Sequence, residues 1–405
     1  MQFLWNRATS CIFLGVILQS FCSIKLVWLN ALLPSISGER IGLSHGAAFV
    51  CAWAVVTFFS RVTGAYTLGK YAEAKGFFAA QKVLVLGYIC TTFLFFLCCL
   101  YANYTYQIRW VVLLVTYFNA FLFPATLVLP AMYLMKIYNA ESHAKISMLM
   151  ILASVLGYTL SSTLSIKFNP HVMSGIICGG SFLCGFLYYM GKNSILGLEE
   201  SHVKEPQKYS PISSGYRARI LALLVGGVCG AGMTHNYFFI EPYLLNVTVV
   251  NLNRSKWGYI SFYIALVVFL ILARKVCAYV NSTKLLFRSL IGTLLVAAAL
   301  NVIDVSSAHA YIIYQVTFAF FFAGFLAPSL AIVFSLFQND RPFFNGVFWY
   351  YSGLSFSYLV GYFLSKELGI FTHYFLLVSP LVLMGVPCMA ALRSKLLTIR
   401  SSLQQ

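Results

Sequence analysis

The sequence predicts an all-α membrane protein of twelve transmembrane helices arranged as two six-helix halves. Three observations carry this. Only 9% of the 405 residues are charged and 60% are hydrophobic, with a mean hydropathy of +0.83. Soluble domains average about 25% charged residues, so this chain could not cover its own surface in water. Twelve apolar runs approach the ~20 residues that a helix needs to cross a bilayer, and none shows extended β alternation. One long polar stretch, 192–218, divides these runs six and six. Helices satisfy each backbone N–H and C=O within their own segment, as hydrocarbon demands.

The first run, 12–34, has no small-residue cleavage site and leads directly into further runs, so it reads as a span and not a signal peptide. It places Lys25 near the bilayer centre, where a charge costs roughly 2.5–3.5 kcal/mol on insertion scales, with Gln19 and Asn30 on either side. The second run, 45–67, carries Arg61 in or at the membrane. Runs three to six cover 83–101, 109–135, 146–166 and 173–191, and the fourth holds Asn119 with Tyr117 nearby. The stretch 192–218 combines charges, serines and prolines and reads as a flexible linker. The seventh run, 219–245, holds His235, Asn236, Tyr237 and Glu241. Runs 257–273, 285–303, 310–337 with Gln315, 346–365 and 371–392 complete the set. The expected division is an N-terminal half, 1–191, the cytoplasmic linker 192–218, and a C-terminal half with a short tail, 219–405. A weak echo between 29–49 and 240–260 supports two related halves.

The formal net charge is +17. With the N-terminus inside, nineteen Lys and Arg residues fall on the cytoplasmic side and six on the outer side. That bias places both termini in the cytoplasm, in a multi-pass protein of the cell membrane, or of the inner membrane in a bacterium. No basic run is interleaved with aromatics, so the bilayer and not nucleic acid is the expected partner. Ten of the eleven cysteines lie within or at the ends of apolar runs and read as small packing residues. Without a CxxC or Cys/His pattern, no metal site is expected. N-x-S/T sequons occur at Asn103, Asn246, Asn253 and Asn281, in short loops close to the membrane.

At 69–87 the sequence reads GKYAEAKGFFAAQKVLVLG. This resembles the cytoplasmic signature of the major facilitator superfamily, with Gly69, Glu73 and Gly76 in its glycine and acid places. Ala74 stands where a basic residue is usual, and Phe77 and Phe78 replace the usual basic pair. The acid can cap a helix end and pair with bases on a neighbouring span, closing the cytoplasmic side. Residues 241–292 and 324–368 look like spans seven to nine and ten to eleven of the twelve-helix drug/proton antiporter branch. The resemblance implies the major facilitator fold, with spans one, four, seven and ten lining a central cavity. It also brings out departures. The first span has no acid, the fourth has Asn119 and no arginine, and the fifth has Gly157 without the usual proline bend. The proton-handling residues usual in that branch are largely missing.

The candidate substrate or coupling residues are Lys25, Asn30, Asn119, His235, Tyr237, Glu241 and Gln315, all on the four cavity spans that the resemblance implies. Glu241 is the one acid well inside an apolar run. Facing Lys25 from the other half, it would neutralise much of the insertion cost, and breakage of the pair would gate access. Glu241 and His235 are also the candidates for taking up a proton. Each residue has a competing structural role. Lys25 can stretch its stem to an interface, Glu241 precedes Pro242 near a helix end, and His235, Asn30, Asn119 and Gln315 can serve as interhelical hydrogen-bond partners.

No nucleophile–base pair, metal cluster or phosphate loop can be assembled, so the chain is not expected to be an enzyme, and no cofactor beyond a coupling proton is expected. The expected function is secondary active transport by a monomer that moves a small organic solute by alternating access. Lys25 favours an anionic or zwitterionic solute. One alternative is a proton-coupled multidrug efflux pump that uses Glu241 in place of the missing acids. The other is a non-transporting, receptor-like protein on the same scaffold.

Overall fold

The computed structural model describes residues 5–23, 43–101, 108–168, 170–203, 215–235, 252–299, 308–337, 345–367 and 379–402. Lys25, Asn30, Tyr237 and Glu241 lie outside these residues. The described residues form α1 (Arg7–Ser23), α2 (Leu43–Lys75), α3 (Phe77–Tyr101), α4 (Ile108–Leu122), α5 (Pro124–Ile137), α6 (Ala140–Lys167) and α7 (Pro170–Val203), followed by α8 (Tyr216–His235), α9 (Leu252–Tyr279), α10 (Ser282–Ala299), α11 (Ala308–Phe337), α12 (Asn345–Glu367) and α13 (Pro380–Ser402). With α4 and α5 counted as one broken span, these helices match the twelve apolar runs in order. Among the described residues there is no strand, and seven segments are long and apolar enough to cross a membrane. Phe59, Phe186, Tyr189, Leu295 and Ile313 are each more than half exposed. Such an apolar exterior is stable in hydrocarbon and not in water.

Local chemistry sets the helix limits. Asn6 Oδ1 accepts from the Thr9 N–H at 2.8 Å, while the Asn6 N–H donates to Thr9 Oγ1 at 2.9 Å. This reciprocal pair starts α1 in the manner of a capping box. Gly76, at φ 91°, ends α2, and its N–H donates to the Ala72 carbonyl at 2.9 Å. Only glycine adopts that backbone without strain, which accounts for one place of the cytoplasmic signature. Asn281 Oδ1 accepts from the Thr283 N–H at 2.9 Å, so this sequon asparagine serves as the cap of α10.

The fourth span breaks at Phe123. Pro124 has no N–H to offer the Ala120 carbonyl, and its ring crowds the preceding turn. The Phe123 N–H donates to the Asn119 carbonyl at 3.1 Å, and the Thr126 N–H donates to the Phe123 carbonyl at 3.1 Å. Pro130, Pro328 and Pro387 lie within continuing helices instead.

The chain forms two compact units, Met1–Ile137 with Ala153–Tyr209 and Tyr138–Leu152 with Ser210–Gln405. In the first, α2 packs on α4, α3 on α4, α3 on α7 and α1 on α7. In the second, α9 packs on α11, α10 on α11, α10 on α13 and α8 on α13, which repeats that pattern six spans on. Close approaches repeat as well. Gly157 of α6 lies against the Ile17 carbonyl of α1, as Gly353 of α12 lies against the Leu223 carbonyl of α8. A side chain at either place would drive into backbone. The sequence carries a matching echo, FLFPATLVL at 121–129 and FLAPSLAIV at 325–333. Helix α7 runs on to Val203, so 192–203 are helical. The reason is packing: Ile195 and Leu198 are buried, and Gly191 and Ile195 meet near Cys11 of α1.

Candidate functional site

Each unit buries a set of polar side chains inside its apolar helices. In the first unit, Gln19 Nε2 donates to Gln81 Oε1 at 3.2 Å, and Gln81 Nε2 donates to the Ala125 carbonyl at 3.4 Å. Ser20 Oγ donates to Ser154 Oγ at 3.0 Å, and Ser23 Oγ donates to the Tyr158 hydroxyl at 3.3 Å. These bonds link α1 to α3 and α6 and engage Gln19 in packing. Gln81 went unrecognised in the sequence because it follows the signature loop and precedes the third apolar run. Helix α3 already begins at Phe77, which places Gln81 inside it.

Asn119 is different. It is fully buried on α4, and among the described residues neither its Nδ2 nor its Oδ1 has a hydrogen-bond partner. A buried polar group left unsatisfied costs on the order of 1–3 kcal/mol. Tyr117, two residues before it, is 41% exposed and stacks on Phe121 at 6.3 Å. Residues two apart point away from each other on a helix, so Tyr117 does not share the buried face of Asn119.

Arg61 is 8% exposed, and its guanidinium lies 4.8 Å from the centre of the Phe123 ring. The sequence left it at the membrane edge, near the end of the second apolar run. Helix α2 continues to Lys75, which moves Arg61 into the interior of the helix.

In the second unit, His235 Nε2 and the Tyr314 hydroxyl are 3.2 Å apart. The His235 ring stacks on Phe318 at 5.3 Å, and Phe318 stacks in turn on Tyr314 and Phe322. His235 therefore has a hydrogen-bond partner on α11. Gln315, beside Tyr314, is fully buried, and among the described residues neither polar atom of its amide has a partner. Of the polar residues singled out in the sequence, Asn119 and Gln315 thus share one property: a buried amide with unused donors and acceptors.

At the signature loop, Gly69 and Glu73 lie in the last turns of α2, with Glu73 exposed, and Gly76 makes the turn into α3. Among the described residues no group of three or more His, Cys, Asp or Glu side chains is placed to hold a metal ion.

This architecture, described helices in two units with repeated packing, is the major facilitator superfamily fold. The structure is similar to that of the proton:xylose symporter XylE of that superfamily, solved with bound 6-bromo-6-deoxy-D-glucose, with a TM-score of 0.67 and 11% identity over 95% of this chain and 94% of the other. It is also similar to the human organic anion transporter MFSD10 (TETRAN), with a TM-score of 0.65 and 11% identity over 95% of this chain and 99% of that one. No protein-family model and no curated protein sequence matches the chain. Helix packing in lipid tolerates wide exchange among apolar residues, so a shared fold at such low identity is physically reasonable.

Proposed function

We propose that the protein is a secondary active transporter that moves a small anionic or zwitterionic organic solute by alternating access. The observation that carries this reading is the pair of fully buried amides, Asn119 and Gln315, each without a partner among the described residues. Amides kept unsatisfied inside apolar helices weaken the fold, and a polar solute that uses them offsets that cost. The fold supports the reading, since both structural neighbours are described as moving small solutes.

In this account Lys25, Asn30, Asn119, Tyr237 and Gln315 contact the solute, and Glu241 and His235 are the groups for proton coupling. The halves 1–191 and 219–405, joined by 192–218, move relative to each other, with Gly69, Glu73 and Gly76 at the cytoplasmic gate and both termini in the cytoplasm. The protein works as a monomer.

The test is uptake and efflux by purified protein in proteoliposomes, with and without a pH gradient, across amino acids, carboxylates and cationic dyes. The wild type should move an acid or zwitterion, and Lys25→Ala should slow it about tenfold or more, the value of one charge-assisted bond. Movement of dyes alone, indifferent to Lys25→Ala, would contradict the proposal.

A further inference from the structure

Two independent features meet at the break in the fourth span. The first is the Arg61 guanidinium, 8% exposed and 4.8 Å from the centre of the Phe123 ring. The ring covers one face of the cation and holds it in place, and a guanidinium presents its donors along its edges in a fork that matches a carboxylate. The second is the Asn119 amide, fully buried and without a partner among the described residues.

Register brings these features to one depth. Gly64 of α2 lies against the Phe121 backbone of α4. The second and fourth spans run in the same direction, so three residues back on each helix Arg61 is level with Phe118. Asn119 then lies within a single residue rise, about 1.5 Å along the axis. Phe123, whose N–H donates to the Asn119 carbonyl, follows Asn119 by one turn and so occupies the same face. Cation and amide thus lie at one level, both beside Phe123, next to a kinked span of the kind that forms transporter sites.

We propose that Arg61 and Asn119 form an anion subsite that takes the carboxylate of a small organic acid, with Phe123 positioning the guanidinium. This rests on the transport reading for its purpose and deepens it by naming the group that is recognised. The cation assigned from sequence was Lys25; Arg61 adds a carboxylate-matching fork in the first unit.

The experiment separates binding from transport. Full-length protein in nanodiscs is titrated with benzoate and benzamide, and with indole-3-acetate and indole-3-acetamide, each pair sharing a shape and differing in charge. Binding is read as a shift in the thermal unfolding midpoint. At least one acid should bind about tenfold or more tightly than its amide. Arg61→Gln should remove that preference, Arg61→Lys should keep part of it, and Phe123→Leu should weaken acid binding while preserving the preference. Equal binding of acid and amide, no shift with any acid, or a preference that survives in folded Arg61→Gln would overturn the proposal. Arg61-dependent binding of an acid that liposomes do not take up would leave the subsite standing and remove the transport reading. Solute flux indifferent to Arg61→Gln would do the reverse.

Discussion

At the scale of single residues, the buried amides carry a prediction about stability that runs opposite to ordinary packing. Asn119 and Gln315 have polar atoms without partners among the described residues, so an apolar side chain of similar size should relieve the penalty. Asn119→Leu and Gln315→Leu are each expected to raise the thermal unfolding midpoint, by the equivalent of about 1 kcal/mol. If Asn119 and Gln315 were structural hydrogen-bond partners, the same changes would lower it. His235 provides the contrast. His235→Phe keeps the stacking on Phe318 but loses the bond to Tyr314, so the midpoint should fall by about 1 kcal/mol. The amides were legible in the sequence because any amide stands out in an apolar run. Their lack of partners was not, since that depends on which helices face them. Arg61 was legible only as a cation in or at the membrane, and its place over Phe123 depends on the pairing of α2 with α4.

At the scale of elements, apolar runs located every described helix, but several helices continue past the ends of their runs. Helix α2 ends at Lys75 and α7 at Val203, both in polar sequence, because hydrogen bonding and neighbour packing continue where the membrane stops. The break at Phe123 was hidden for a different reason. Residues on both sides of Pro124 are apolar, so the run reads as continuous although the backbone is not. Pro124→Ala should restore the missing donor and join α4 to α5, which raises the unfolding midpoint and weakens acid binding at the Arg61 subsite. Retained acid binding in that variant would show that the break has no part in recognition. Gly64→Ala tests the α2–α4 approach: its Cβ would meet the Phe121 carbonyl, and overpacking of this kind should lower stability by about 1–3 kcal/mol.

At the scale of the whole molecule, composition and the count of runs were enough to specify a twelve-span helical protein, because hydrocarbon admits few alternatives. The 6+6 grouping drawn at the polar stretch differs in detail from the compact units, in which Tyr138–Leu152 joins the second. Local contacts explain that grouping: Ser147 Oγ donates to the Ala327 carbonyl at 2.7 Å, and the His143 and Phe334 rings meet edge to face at 4.6 Å. No run of hydropathy encodes such a contact. The orientation proposed from the basic loops has its own test. Cysteines introduced at Lys70 and Lys192 should react with an impermeant thiol reagent only after cells are permeabilised, and labelling of intact cells would invert the topology.

The central claim is that buried amides are held unsatisfied for a transported solute. The most direct measurement is proteoliposome uptake of a panel of organic acids and zwitterions by the wild type and by the Asn119→Leu/Gln315→Leu double variant, with folding of the variant confirmed by its unfolding midpoint. The account predicts that the wild type moves at least one of these solutes, and that the double variant, folded and more stable, moves it about tenfold or more slowly. Equal uptake by the two proteins, or no uptake of any solute by the wild type, would contradict it.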